Sequence, residues 1–165
     1  MLGLRALGEA ALGEGPRDGA ADPRVLHAEM LRRITALENA LAKLSPPAGS
    51  IGHNLSPEPI EGEPFTVNDY ASIRDAIAVL KSQNHETIKP SSETIAAVNS
   101  LQSSTSKLGK FLVEKGDIFV TEFVKAAGAS TGKWAPRLIL LAIAYVELND
   151  LIQAATKYLQ ALPPS

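Results

Sequence analysis

An all-α fold is what this sequence predicts, and three observations carry the prediction. Apolar residues recur at steps of three and four over several long stretches, the spacing that gathers them on one face of a helix. Ala, Leu, Lys and Glu are plentiful while aromatic residues make up 5% of the 165 residues, a balance that favours helices over sheets. The prolines fall between the periodic stretches or in their first turns, where they cost a helix nothing.

Composition also removes function classes. With no cysteine, disulfide frameworks, thiolate metal sites and cysteine nucleophiles are excluded. A formal charge of −2, with no strongly basic segment, leaves no phosphate-neutralising surface, so nucleic acid is not an expected partner. Leu2 to Leu12 is interrupted by Gly3, Gly8 and Glu9, which breaks the apolar run a secretory signal needs, and a cytoplasmic location is expected. Residues 1–22 lack a sustained period and read as a disordered lead.

The first helix is predicted over 23–45. Asp22 can take the free amides of a first turn, and Pro23 gives up an amide that had no partner. Met30, Ile34, Leu37, Leu41 and Leu44 then follow at steps of four, three, four and three, an average of 3.5 residues that keeps a stripe aligned along a coiled coil. Two uses fit such a stripe: association between chains, and packing on the chain's own core. The heptad spacing favours the first. Arg33-Ile34-Thr35-Ala36-Leu37-Glu38 resembles the Arg-h-x-x-h-Glu pattern of short trimeric coiled coils, h being a large aliphatic residue. The resemblance implies a homotrimer in which Arg33 covers the seam and pairs with Glu38 of a neighbouring chain.

Residues 46–65 form a Pro-rich linker, since Pro46 and Pro47 stop the helix and Pro57, Pro59 and Pro64 impose extended backbone. Within it Ile51-Gly52-His53-Asn54-Leu55-Ser56-Pro57-Glu58 resembles a Gly-His-Asn-x-x-Pro-Glu stretch of small alphaproteobacterial proteins, a likeness that names no activity. Ile51 and Leu55 could anchor an extended peptide in a partner's groove, with Gly52, His53, Asn54 and Pro57 shaping it; the same residues also suit a simple turn.

A helical domain is predicted over 66–162, as a bundle or a long hairpin. Thr66 and Asp69 have capping-box spacing, and Tyr70, Ile73, Ile77 and Leu80 share a face of the helix they start. Lys89-Pro90-Ser91-Ser92 marks the next boundary. An apolar face then runs from about 92 to 127, either as one helix of about 50 Å or as two broken near Ser103 to Ser106, with a bend expected at Gly116. The last helix carries nine uncharged, mainly apolar residues, Leu138 to Val146, after Trp134 and Arg137. Lys, Trp and Arg beside such a run suit a membrane interface, but a span needs about 20 apolar residues, and each central acid costs about 3 kcal/mol. The favoured expectation buries the first half of this helix on all sides in a bundle, with Trp134, Arg137, Leu138, Leu141 and Tyr145 as contacts. The alternative is a hairpin of residues 107–127 and 136–160 that inserts or lies in a bilayer, similar to those of small phage-encoded membrane-lesion proteins, at a peripheral or inner membrane.

No phosphate loop, nucleophile elbow or metal-ligand spacing occurs, and His27, His53 and His85 fall in separate segments. No catalytic, cofactor or metal site is therefore expected. The function expected is that of a non-enzymatic oligomeric scaffold or adaptor with an unidentified protein partner.

Overall fold

The computed structural model describes residues 21–44, 62–84, 86, 89–125 and 135–163, with side chains described at all of these but 118–125 and 135. They form four helices, α1 (Pro23–Leu44), α2 (Val67–Lys81), α3 (Ser92–Lys125) and α4 (Ala135–Ala161), with no strand among the described residues. Three of the helices begin on a side-chain oxygen that takes an otherwise unpaired amide. The Asp22 carboxylate accepts from the Arg24 amide at 2.9 Å. Thr66 and Asp69 exchange both bonds of a capping box. The Ser91 hydroxyl accepts from the Thr94 amide at 3.1 Å.

Of the two forms left open for residues 92–127, the single helix is found over Ser92–Lys125, unbroken through the serines and Gly116. The hydroxyls of Ser104 and Thr105 donate to the carbonyls four residues back, at 3.2 and 2.8 Å, so these polar groups enter the core already satisfied.

Helix α4 packs on α1 and α3, and α2 packs on α3, while α1 and α2 scarcely touch. Around the bundle the order is α1, α4, α3, α2. His27 meets Tyr158, Arg33 meets Asp150, and Leu44 meets Arg137, which fixes α1 and α4 antiparallel. Gly109 lies against Tyr145, and Ile95 and Leu159 line one depression, so α3 and α4 also run in opposite senses. The shared core holds Met30, Ile34, Leu37, Leu44, Ile73, Leu80, Leu101, Leu108, Leu141, Leu148, Leu151 and Tyr158, each fully buried. Burying such an aliphatic side chain stabilises the fold by about 1.5–3 kcal/mol.

Two expectations are corrected here. The 23–45 helix is not a separate coiled coil: Met30, Ile34, Leu37, Leu41 and Leu44 are 0–3% exposed within one chain, and the stripe is not free for a second. The Arg33 guanidinium meets Asp150 at 2.6 Å and Glu29 at 2.8 Å, and Glu38 meets Lys81 at 2.9 Å, so both are paired within the chain. A heptad stripe fits any antiparallel apolar neighbour, and α4 supplies one on the same polypeptide. The first half of α4, in turn, is not buried on all sides, because its outer face carries Ile139, Ile143 and Val146 at 56, 42 and 53% exposure. The motif residues Ile51, Gly52, His53, Asn54, Leu55 and Pro57 lie outside the described residues, as does Trp134.

Candidate functional site

Helix α4 presents the most unusual surface of the bundle. Ile139, Ala142, Ile143 and Val146 follow at helical spacing on the side turned away from the core, whereas Leu141, Ala144 and Leu148 on the opposite side are fully buried. From Pro136 to Val146 the one charged residue is Arg137, and it is 3% exposed, turned inward. Two turns of outer face are thus uncharged and apolar, until Asn149, Asp150 and Gln153 take over the same side. Of the predicted contact residues, Leu141 is buried, Leu138 is half-buried, and Tyr145 turns toward α3.

Alongside, α3 and α4 leave an open groove of about 820 Å³ whose lining includes Gln102, Gly109, Lys110, Val113, Tyr145 and Ile152. Its floor depends on Gly109: a Cβ there would stand 3.1 Å from Tyr145 Cε2, so the missing side chain lets the ring lie close to the α3 backbone. Among the described residues of the lining, Lys110 and Glu114 are the ionisable groups apart from the Tyr145 phenol. Such a lining can hold a ligand by shape and neutral hydrogen bonds, and among its described residues no acid–base pair is gathered around a nucleophile.

Sequence reasoning missed a third cluster, at the end of the bundle where α1 stops and α4 starts. Arg137 Nε and Nη2 donate to the two Glu63 oxygens at 3.1 and 2.7 Å, and Nη1 donates to the Leu44 carbonyl. The Tyr70 hydroxyl lies 3.3 Å from Glu63 Oε1 and donates to it. Both partners of the ion pair are buried, at 4 and 6% side-chain exposure. Burial, then the charge of Glu63, pushes the Tyr70 phenol up to about 12. One signal was available: a cation in the first turn of a helix opposes the helix dipole and calls for a compensating partner. The partner's identity was not legible, since Glu63 stands 74 residues away in the linker.

His27 serves the opposite end. Its Nε2 lies 2.8 Å from the Gln83 carbonyl and its ring packs on Tyr158 at 5.4 Å, while the Tyr158 hydroxyl donates to the Asn84 carbonyl at 3.1 Å. Both side chains thereby hold the turn after α2. Among the described residues no group of three or more His, Asp or Glu side chains is placed to hold a metal ion. On the α4 side facing α1, Glu147 Oε2 is buried without a hydrogen-bond partner among the described residues. No family model, curated protein or solved structure matches the chain.

Proposed function

We propose that this chain is a non-catalytic helical docking module, a scaffold or adaptor element whose working surface is the outer face of α4 around Ile139, Ala142, Ile143 and Val146. The observation that carries this reading is the uncharged, half-exposed stripe itself, next to an arginine withdrawn into the core. The fitting occupant is the apolar face of an amphipathic helix from another protein, which meets such a stripe through residues at the same spacing. Four residues are far short of the roughly 20–30 a side of a stable interface, so the contact is weak by itself and needs a second contact or repetition to hold.

A photoactivatable cross-linker at Ile143 of the full-length chain tests this in the native host. A discrete protein adduct at Ile143, absent with the cross-linker at Lys157 and lost in the Ile139→Ser, Val146→Ser background, is the expected result. Equal labelling at both positions, or no protein adduct at Ile143, counts against it.

A second reading has its own support, because Pro136–Ala161 is long and apolar enough to cross a membrane by length and composition. Crossing would place Glu147, Asp150 and Lys157 in the bilayer and strip α1 from its apolar neighbour, so the lipid reading is one of surface contact by the same stripe. Flotation of the full-length protein with phosphatidylcholine–phosphatidylglycerol vesicles, abolished by Ile139→Ser, Ile143→Ser and Val146→Ser together, would favour that reading over the protein partner.

A further inference from the structure

The apolar stripe of α4 runs along the edge that borders α1. Ile139, Ile143, Val146 and Asp150 follow at steps of four, three and four, and Asp150 meets Arg33 of α1 at 2.6 Å. Because the two helices are antiparallel, the last turn of α1 stands level with the Ile139 end, where the Leu44 carbonyl takes Arg137. That turn carries Lys43, which is exposed. Arg33, Ala36, Ala40 and Lys43 succeed one another at steps of three, four and three, which puts this lysine on the side of α1 next to the stripe. The other charge in those turns, Glu38, is engaged by Lys81 of α2. The Val146 end has the opposite sign. Glu29, Arg32 and Arg33 of α1 gather there with Glu147 and Asp150 of α4, three acids against two arginines. Arg32 is held by Glu29, and Arg33 by Glu29 and Asp150, whereas Glu147 Oε2 has no hydrogen-bond partner among the described residues.

Among the described residues the rim of the stripe thus passes from excess positive to excess negative charge between Ile139 and Glu147, about 12 Å along the helix. An apolar stripe supplies affinity but accepts many helices; charges at its ends decide which of them fit. We infer, resting on the docking reading above, that the partner of this surface is a bipolar amphipathic helix, its apolar face bounded by an acidic residue beside Lys43 and a basic residue about two turns away beside Glu147. A helix acidic at both ends of its apolar face, or basic at both, meets a like charge at one end of the stripe.

Nuclear magnetic resonance titration of the full-length, isotope-labelled protein with three synthetic helical peptides tests the inference. The peptides share one leucine stripe; the first has glutamate at one end of it and lysine at the other, the second glutamate at both ends, the third lysine at both. At low salt and millimolar peptide, the bipolar peptide is expected to shift the amides around Ile143 with an affinity about three-fold or more above either of the others, a margin that shrinks as salt is added. Lys43→Glu, an exposed change that leaves both ends of the rim negative, is expected to make the lysine peptide the tightest. Equal affinities for the three peptides, with shifts at Ile143, overturn the inference and leave the docking reading standing. An unchanged ranking in Lys43→Glu overturns it too. No shift around Ile143 with any peptide overturns both.

Discussion

Asp69 accepts hydrogen bonds from the Thr66 amide and hydroxyl and takes Lys107 Nζ at 2.7 Å. The Lys107 ammonium first, then the Thr66 amide and hydroxyl, hold its carboxyl down at about 2, below the 3.8 it has when unperturbed. The folded state therefore prefers the ionised form, and the stability this contributes is whole above about pH 4 and lost as pH falls through about 2. Half-exposed Lys107 is screened by water, so the loss is about 1 kcal/mol. Urea midpoints between pH 5 and pH 2 are expected to fall less steeply in Asp69→Asn than in the wild type. Tyr70 works in the other direction. Its phenol is raised to about 12, so the contribution is whole below pH 10 and lost as pH rises through about 12. Absorbance titration at alkaline pH should show a late-ionising tyrosine component that Tyr70→Phe removes. Glycine matters differently at two positions of α3. Nothing lies within 4 Å of a Cβ at Gly116, so Gly116→Ala should stabilise by about 0.5–1 kcal/mol in urea denaturation. Gly109→Leu should instead destabilise by about 1–3 kcal/mol, because Tyr145 occupies the space.

Among the elements, α4 shows most clearly how one helix can be core on one side and surface on the other. Leu148→Ala empties a fully buried core position on the helix that packs on both α1 and α3 and is expected to cost about 2–5 kcal/mol, measured by urea unfolding. Ile143→Ser, on the outer face, is expected to change stability by no more than about 0.5 kcal/mol, which keeps it usable as a probe of docking. Helix α3 could be read as far as its apolar face but not as to its continuity. A serine-rich centre breaks a helix when its hydroxyls compete for the backbone, and extends one when they bond to the carbonyl four residues back, as Ser104 and Thr105 do.

For the whole molecule, the arrangement makes α1 an integral part of the fold. A chain beginning at Gly62 leaves the α1-facing side of α4 uncovered and is expected to lose its cooperative urea transition, seen as a broad, non-sigmoidal far-ultraviolet dichroism curve. The starts of α1, α2 and α3, the helical class and the stripes on those three helices were legible in the sequence, because capping residues and three-to-four spacing are local properties, whereas the uncharged run Leu138 to Val146 carried no such period and its exposed side was not. The stripe from Met30 to Leu44 had to be buried, and its period says so without structure. Which surface buries it is a different matter, since period describes only the helix that carries it, and an antiparallel neighbour in the same chain satisfies it as well as a second copy does. The same limit hid the Arg137–Glu63 pair and the Arg33–Asp150 pair, whose members are 74 and 117 residues apart. Local chemistry settled the helices and their apolar faces; tertiary packing alone decided which face met which and which was left to the solvent, because those choices rest on contacts between residues that no spacing along the chain connects.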